Sequence, residues 1–443
     1  MAAEKEIIVA IEFGTSAIRG IAGRKKADGT LQILGIEQER AGYSIHKGVI
    51  FNIDKTTQAI SNITERLGER LGVRVKRAYV GLGGQSLRTA ANFIARNLEM
   101  KVKITPELVD NLMDNNRATE YPDSEILEVI PQEYIVGTHS VLDAVGIQSD
   151  HIEARFMNVV ARTTLRENIE KCMRMAGLEI ADLYTAPLVL ADALLSDSEK
   201  RSGCALVDFG AGTTTVSVYI GNLLRHLVVI PLGGNNVTND IANCKQTEPE
   251  EAEALKRKNG VAYLPADAET PRMIPISNDR SLNENELQHI IGARQEEIIQ
   301  NVGDQLRNYD NKLPAGVIIT GGAAQLKDMI EAVKHHAKLE HVKAAKPLVT
   351  LTEVAAGVVT PHGSSTDTLI AMLMRADSNC VVPQEMPEPE AQLPQPDEEN
   401  TPAQASEPEA PAEEPKPKKP SFGDKLKSFL GRVNDLLQEN EED

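Results

Sequence analysis

Cysteine is scarce in this 443-residue sequence: Cys172, Cys204, Cys244 and Cys380 lie far apart and none belongs to a CxxC pair. That spacing excludes a compact zinc or redox motif and predicts four separate packing thiols in a reducing compartment. Histidine is equally dispersed. His335 and His336 are neighbours, but consecutive helical residues project about 100° apart, so a solvated face is expected there rather than a metal centre. Long hydrophobic runs are missing too. The opening MAAEKEIIVAIEFG meets acidic residues before a signal-length apolar core can form, and no stretch approaches the ~20 apolar residues of a membrane span. Basic charge is in deficit, 47 Lys and Arg against 65 Asp and Glu for a formal net charge of -18. An acidic surface repels phosphate backbones, so nucleic acid is excluded as the main partner and a cytoplasmic body is expected.

What is present, 41% hydrophobic and 25% charged residues, suits an ordinary globular chain of roughly two to four domains. Up to Val382 the pattern is mixed α/β. Strands are predicted at Ile7 to Glu12, Ala78 to Leu82, Ala205 to Asp208, Leu227 to Pro231 and Val317 to Thr320, where β-branched runs end at turn residues. Thr247 to Glu250 reads as a T-x-x-E capping box with Pro249 in the first turn and Gly260 as the stop. Asn283 to Leu306 carries apolar residues at helical spacing.

After Val382 the composition changes. Residues 383–420 hold 11 of the 23 prolines, and residues 384–414 hold ten acidic residues and no basic one. Such a segment cannot bury enough surface to offset its ordering entropy, which predicts a disordered linker. Periodicity then returns: Phe422, Leu426, Phe429, Leu430, Val433, Leu436 and Leu437 form one helical stripe. Lys425, Lys427 and Arg432 lie within it, and Lys416, Lys418 and Lys419 just before it. A basic-flanked apolar face suits the interface of an anionic bilayer. Docking back on the chain's own body is the competing reading.

Three glycine-rich turns follow strands. In the first, Glu12 ends the strand and Gly14, Thr15 and Ser16 offer backbone N–H groups and hydroxyls. The second repeats the design: Asp208, then Gly210, Gly212, Thr213 and Thr214. The third, Val317 to Ala324, presents Gly321 and Gly322, which let a flat base or ribose approach the backbone. Two near-copies of strand, carboxylate and glycine turn imply a duplicated two-lobed α/β fold with a triphosphate between the lobes. One carboxylate from each lobe would face a hydrated Mg2+.

These turns resemble the phosphate 1, phosphate 2 and adenosine motifs of the actin-like ATPases. Ile230 to Ile241, Glu250 to Gly260 and Ile126 to Ile135 resemble segments of one branch, the bacterial cell-division FtsA family, from about Ile7 to Val382. The resemblance implies ATP and Mg2+ as cofactors. Gly14, Thr15 and Ser16 would hold one side of the phosphates and Gly210, Gly212, Thr213 and Thr214 the other, with Gly234 in the segment that follows. Gly321 and Gly322 would flank the adenosine, Glu253 and Lys256 would meet the ribose and base, and Glu12 and Asp208 would hold Mg2+ mainly through water. An exposed i, i+3 ion pair is the competing reading of Glu253 and Lys256.

The resemblance also implies a division of the chain. Residues 1–84 begin lobe 1 (subdomain 1A), 85–164 form an FtsA-type subdomain 1C, and 165–204 complete the lobe 1 core. Residues 205–235 and 312–345 form subdomain 2A, 236–311 subdomain 2B, and 346–382 return to lobe 1. Residues 383–420 are the linker and 421–440 the membrane-targeting amphipathic helix. As partners it implies the FtsZ C-terminal peptide on subdomain 2B, where Lys256, Arg257, Lys258 and Arg294 supply basic groups. It further implies a second copy of the chain in a filament, anionic lipids, and later division proteins on subdomain 1C, all at the cytoplasmic face of the bacterial membrane at the septum. A small-molecule kinase, a chaperone-type ATPase and a pilus-assembly adaptor share the core and are the alternatives.

Two positions depart from the superfamily pattern. Position 12 is Glu where Asp is usual, which moves the carboxylate on the order of 1.5 Å. Ala186 stands where active relatives carry a water-orienting Glu or Gln. An unoriented water predicts ATP as a structural and switching ligand with slow or negligible hydrolysis.

Overall fold

Strand β1 (Ile8–Phe13) is an unbroken apolar run apart from Glu12, and buried on both faces, as a central strand must be. In the computed structural model, which describes residues 6–264, 272–277, 280–361 and 363–383, β1 starts an antiparallel meander. It continues through β2 (Ala17–Lys25) and β3 (Leu31–Arg40). Helix α1 (Ile53–Leu71) crosses back over the sheet. Asn52 caps it by accepting from the Lys55 N–H, and its buried Ala59, Ile60, Ile63 and Leu67 face the sheet at helical spacing. Strand β4 (Arg77–Leu82) then pairs parallel with β1.

An insertion follows. Strands β5 (Arg88–Lys103), β6 (Ser124–Val136), β7 (His139–Val141) and β8 (Gln148–Arg162) form an antiparallel sheet in the order β7-β6-β8-β5, with helix α2 (Pro106–Arg117) packed on it. It has its own core, including Ile104, Leu112, Tyr134 and Phe156. Inside lies a polar knot: Asn116 and Asn158, both 0% exposed, exchange amide hydrogen bonds of 2.7 and 3.1 Å. Asn92 and Tyr121 complete it.

The chain returns through α3 (Thr163–Met175), β9 (Glu179–Thr185), parallel to β4, and α4 (Ala186–Leu194). The design then repeats. Strands β10 (Cys204–Phe209), β11 (Thr214–Ile220) and β12 (Leu223–Ile230) form a second meander. Helices α5 (Gly234–Lys245), α6 (Pro249–Asn259) and α7 (Glu284–Leu306) lead to β13 (Val317–Thr320), parallel to β10. Helix α8 (Met329–Ala337) precedes β14 (Val342–Ala344), parallel to β13. Strand β15 (Glu353–Val354) joins the first sheet beside β3, and α9 (Asp367–Arg375) closes that lobe. The order β9-β4-β1-β2-β3 is thus matched in sense and sequence by β14-β13-β10-β11-β12. The inserted strands extend the second sheet through one rung, Arg88 opposite Val228.

Several local expectations shift. The third strand of the second meander starts at Leu223, earlier than predicted, and stops before Pro231, which has no N–H for the ladder. The capping box at Thr247 does not form. Proline at the first helical position keeps Glu248 extended as the N-cap, and the Thr247 hydroxyl is buried without a partner. His335 is exposed, as a solvated face requires, but His336 is half-buried, and both rings pack against Tyr263 with ring centroids 4.9 and 6.0 Å away. Three cysteines are buried as expected, whereas Cys244 is exposed. The acidic linker and the amphipathic stripe lie outside the described residues; among the described residues no helix is long and apolar enough to cross a membrane.

The asparagine knot gives a stability test. Asn158→Ala strands the Asn116 amide in the insert core, and a buried unsatisfied polar group costs about 1 to 3 kcal/mol. Urea unfolding followed by circular dichroism is expected to show a loss of about 2 kcal/mol, while Asn92→Ala, at the half-buried edge of the knot, costs less.

Candidate functional site

The two phosphate-type turns face each other at contact distance. In the first, the Gly14 N–H closes on the Ala17 carbonyl at 3.1 Å, and the Thr15 hydroxyl accepts from the Gly48 N–H at 3.0 Å. Ser16 is exposed beside it. In the second, the Gly210 N–H closes on the Thr213 carbonyl at 2.9 Å, and the Thr214 hydroxyl donates to the Leu232 carbonyl at 2.9 Å. Thr213 is half-buried and Thr214 fully buried. A Cβ at Gly212 would stand 2.6 Å from Thr15 Oγ1, so only glycine lets the turns meet. Gly234 starts α5 directly against this turn, with its N–H on the Gly210 carbonyl at 3.0 Å.

The adenosine-type turn lies behind β10. Gly321 has φ +95, and a Cβ there would fall 2.2 Å from Asp208 Oδ1, so both conformation and space demand glycine. Gly322 faces open space. Glu253 and Lys256 do form the i, i+3 ion pair of the competing reading, but its lysine side chain is largely buried rather than exposed. Lys256 Nζ donates to the Gly234 carbonyl at 3.0 Å and to Thr238 Oγ1 at 2.8 Å, and lies 2.5 Å from Glu253. Burial lowers the Lys256 pKa against the pull of Glu253. For Glu253, burial raises the pKa but is outweighed by Lys256 and the Thr238 hydroxyl, leaving the carboxyl below its ordinary value.

Glu12 and Asp208 end the two homologous strands, as their sequence positions predict. Burial, then the charges of Glu12 and Asp367, push the Asp208 carboxyl up to about 7. Burial also raises Glu12, although Arg19, its cross-strand partner, opposes the rise. Glu12 Oε2 and Arg19 Nε are buried with no hydrogen-bond partner. Asp367 is raised by burial against donation from the Leu348 N–H and the Ser364 and Thr320 hydroxyls. Its place was not legible as a site. It follows Ser364-Ser-Thr and opens the apolar helix α9, the pattern of an ordinary helix start. Arg19 and Thr238 were hidden in the same way, one in a strand interior and one in a helix, with only tertiary packing to mark them.

Ala186 is the first residue of α4. Its surroundings are apolar: a Cβ on Gly81 would lie 3.5 Å from Ala186 Cβ and 3.1 Å from the Met372 sulfur. Two concavities of about 710 and 790 Å³ lie along the inserted sheet and contain none of the site residues above. Across the two turns, Gly212 comes so near Thr15 that an added Cβ would fall within 3 Å of the threonine side chain.

Known proteins agree with this architecture. The family model "Cell division protein FtsA" matches residues 205–363, and "SHS2 domain inserted in FTSA" matches residues 84–160. Cell division protein FtsA of Pseudomonas aeruginosa is 30% identical over 334 residues, covering 74% of this chain and 80% of that protein. The Bacillus subtilis protein of the same name is 30% identical over 351 residues, covering 77% and 79%. Among solved structures, one titled PilM-PilN type IV pilus biogenesis complex is similar with a TM-score of 0.58 at 15% identity, covering 83% of this chain and 98% of that one. The duplicated two-lobed fold is therefore that of the actin-like ATPases, and the chain belongs to the cell division protein FtsA family.

Proposed function

We propose that the chain is an ATP-binding adaptor that polymerises on the cytoplasmic face of the membrane and tethers FtsZ polymers there at the division septum. The observation that carries this reading is the pair of opposed glycine turns, each following a strand that ends in a carboxylate, in a chain of a cell-division family. In this reading Gly14, Thr15 and Ser16 hold one side of the phosphates, and Gly210, Gly212, Thr213, Thr214 and Gly234 the other. Gly321 and Gly322 flank the adenosine. Glu253 and Lys256 turn from each other to the ribose and base.

The cleft suits a magnesium ion. Its donors are all oxygen, and Glu12 Oε2 is buried with no donor to satisfy it. Mg2+ bound there would neutralise phosphate charge. Glu12 and Asp208 would orient its water shell, while Arg19 balances part of their charge. At Ala186 no polar side chain stands ready to align an attacking water. The bound nucleotide thus acts as a structural ligand that sets lobe closure, and closure sets polymerisation.

The remaining parts follow the family layout. Residues 85–164 serve as subdomain 1C, which receives later division proteins, and 236–311 as subdomain 2B, which receives the acidic FtsZ C-terminal peptide. Of the four basic candidates there, Lys256 and Arg294 are engaged internally, the latter with Asp240 at 2.6 Å, whereas Arg257 and Lys258 are exposed. Those two are assigned to the peptide. The stripe from Phe422 to Leu437, with Lys425 and Lys427, is assigned to the anionic leaflet. One such helix binds reversibly, and polymerisation makes attachment firm through effective concentration.

Cosedimentation on anionic vesicles tests the whole reading. Full-length protein with ATP is expected to pellet and to recruit an FtsZ tail peptide. Deleting residues 421–443 should abolish pelleting, and Arg257→Ala with Lys258→Ala should abolish recruitment alone; vesicle binding that survives the deletion sinks the anchor. Phosphate release with Mg2+ and ATP is expected well below about one per second, the low end of ordinary enzyme rates.

Acidity supplies a further check. In metal-free protein Asp208 has a folded pKa of about 7, above its unfolded value of ~3.9. The folded state therefore binds a proton that the unfolded state has released, and this contribution to stability is lost as pH rises from about 4 to 7. Melting temperature in EDTA is expected to fall between about pH 4 and 7, and Asp208→Asn should flatten that fall.

A further inference from the structure

Where β5 and β12 part, beyond the rung at Arg88 and Val228, lies a cavity of about 790 Å³. That volume is in the range of small-molecule sites, which concentrate at such junctions. One wall is the open face of the inserted sheet. Ile94 and Phe156 pack into the insert core, so their neighbours alternate outward. Phe93 is 62% exposed and stands in register with Arg155, which stands opposite Glu133. The other wall comes from the second lobe: Ile220 at the end of β11, Arg225 in β12, and Tyr309 and Lys312 after α7.

The chain is acidic, but this cavity is not. Arg155, Arg225 and Lys312 line it against Glu133 and Glu153, and both carboxylates are bonded to Arg155, at 2.9 and 2.8 Å. Arg225 and Lys312 are thus left without an ion-pair partner among the described residues, and Glu133 reaches Arg225 only through space. Arg225 is also held in place. Gln132, 7% exposed, donates to the Ile130 and Leu224 carbonyls at 3.2 Å each and accepts one Arg225 guanidinium N–H at 2.8 Å. The Tyr309 hydroxyl donates to the Arg225 carbonyl at 3.3 Å. A guanidinium has five N–H donors, so most of this fork remains for an anion, with little side-chain freedom left to lose on binding. A fixed cation lacking a counter-ion, beside an exposed aromatic ring, calls for an anionic group on an apolar body.

We propose that this cavity binds a small anionic ligand with a flat apolar body, its carboxylate or phosphate on Arg225 and Lys312 and its body against Phe93 and Tyr309. The site shares no residue with the glycine-turn cleft and does not depend on the nucleotide reading. Its walls belong to the insert and to the second lobe. Occupancy therefore ties the two together across a joint whose ladder is a single rung, supported by the Thr89 and Gln132 side-chain bonds to Leu227 and Leu224.

Isothermal titration calorimetry of the full-length protein, with ATP and Mg2+ in excess so that the probes do not compete for the other cleft, tests this with 2-naphthoate, 2-naphthyl phosphate and the neutral 2-naphthol. At least one of the two anions is expected to bind one to one, about tenfold or more tighter than 2-naphthol, and the tighter anion shows whether the site takes a carboxylate or a phosphate. Lys312→Ala and Arg225→Gln should each weaken the anion about tenfold, the size of a hydrogen bond to a charged group, and leave 2-naphthol within twofold. Phe93→Ala should weaken all three probes. Phe93 and Lys312 are exposed, so their variants keep the fold even if Arg225→Gln does not. Failure of both anions to bind with a Kd below about 1 mM, equal affinity for anionic and neutral probes, or anion binding that Phe93→Ala and Lys312→Ala leave unchanged would overturn the proposal. None of these results bears on the nucleotide cleft.

Discussion

Two carboxylates buried near each other repel, and the architecture of this chain is what holds Glu12 and Asp208 in place against that repulsion. Burial and then the charge of Glu12 push the Asp208 carboxyl up to about 7, so the strands that carry the pair must be fixed from both sides. They are. Strand β1 lies between β4 and β2, and β10 between β13 and β11, each with a parallel neighbour on one edge and an antiparallel one on the other. The apolar residues of β1 and β10 are buried, which leaves the strand ends as the one place where polar groups can emerge. The glycine turns follow because any side chain at position 212 would drive the lobes apart.

The departures at positions 12 and 186 acquire a common sense from this geometry. Glutamate at position 12 extends a charge toward its cross-strand neighbour Arg19 rather than leaving it solely to a cation. Alanine at 186 sits among Gly81, Gly83 and Met372, a wall with nothing to align water. On the proposed reading, a cleft that binds charge well but orients water poorly would favour retention of ligand over turnover, as an adaptor whose assembled state persists would need.

The repeated strand, carboxylate and turn were legible in the sequence because each copy is local: seven or eight consecutive residues specify it. The same holds for β13 and for the long helix α7, whose apolar spacing survives in the structure. What could not be read was set by distant partners. Asp367 becomes notable only when α9 folds back across the first lobe, and Lys256 only when α6 lies against α5. The T-x-x-E pattern at Thr247 misled because Pro249 fixes the helix start more strongly than a hydroxyl can. The attachment of the insertion to the second sheet rests on a single rung between Arg88 and Val228, a pairing no periodicity announces.

Helix α6 shows how a single short element can serve two surfaces. Glu253 and Lys256 turn toward Thr238 and the Gly234 carbonyl, while Arg257 and Lys258 stay in solvent. The inner pair is complete without a ligand: Lys256 has three acceptors, and Glu253 takes both Lys256 and the Thr238 hydroxyl. A nucleotide that recruits Lys256 must therefore replace bonds already made, so its gain there is a difference between two satisfied states and small. The larger differential would lie at the strand ends, where Glu12 Oε2 lacks a partner in the free chain and the proposed cation would supply one. On the proposed nucleotide reading, affinity in this cleft would accordingly be carried more by charge at the strand ends than by recognition of the base.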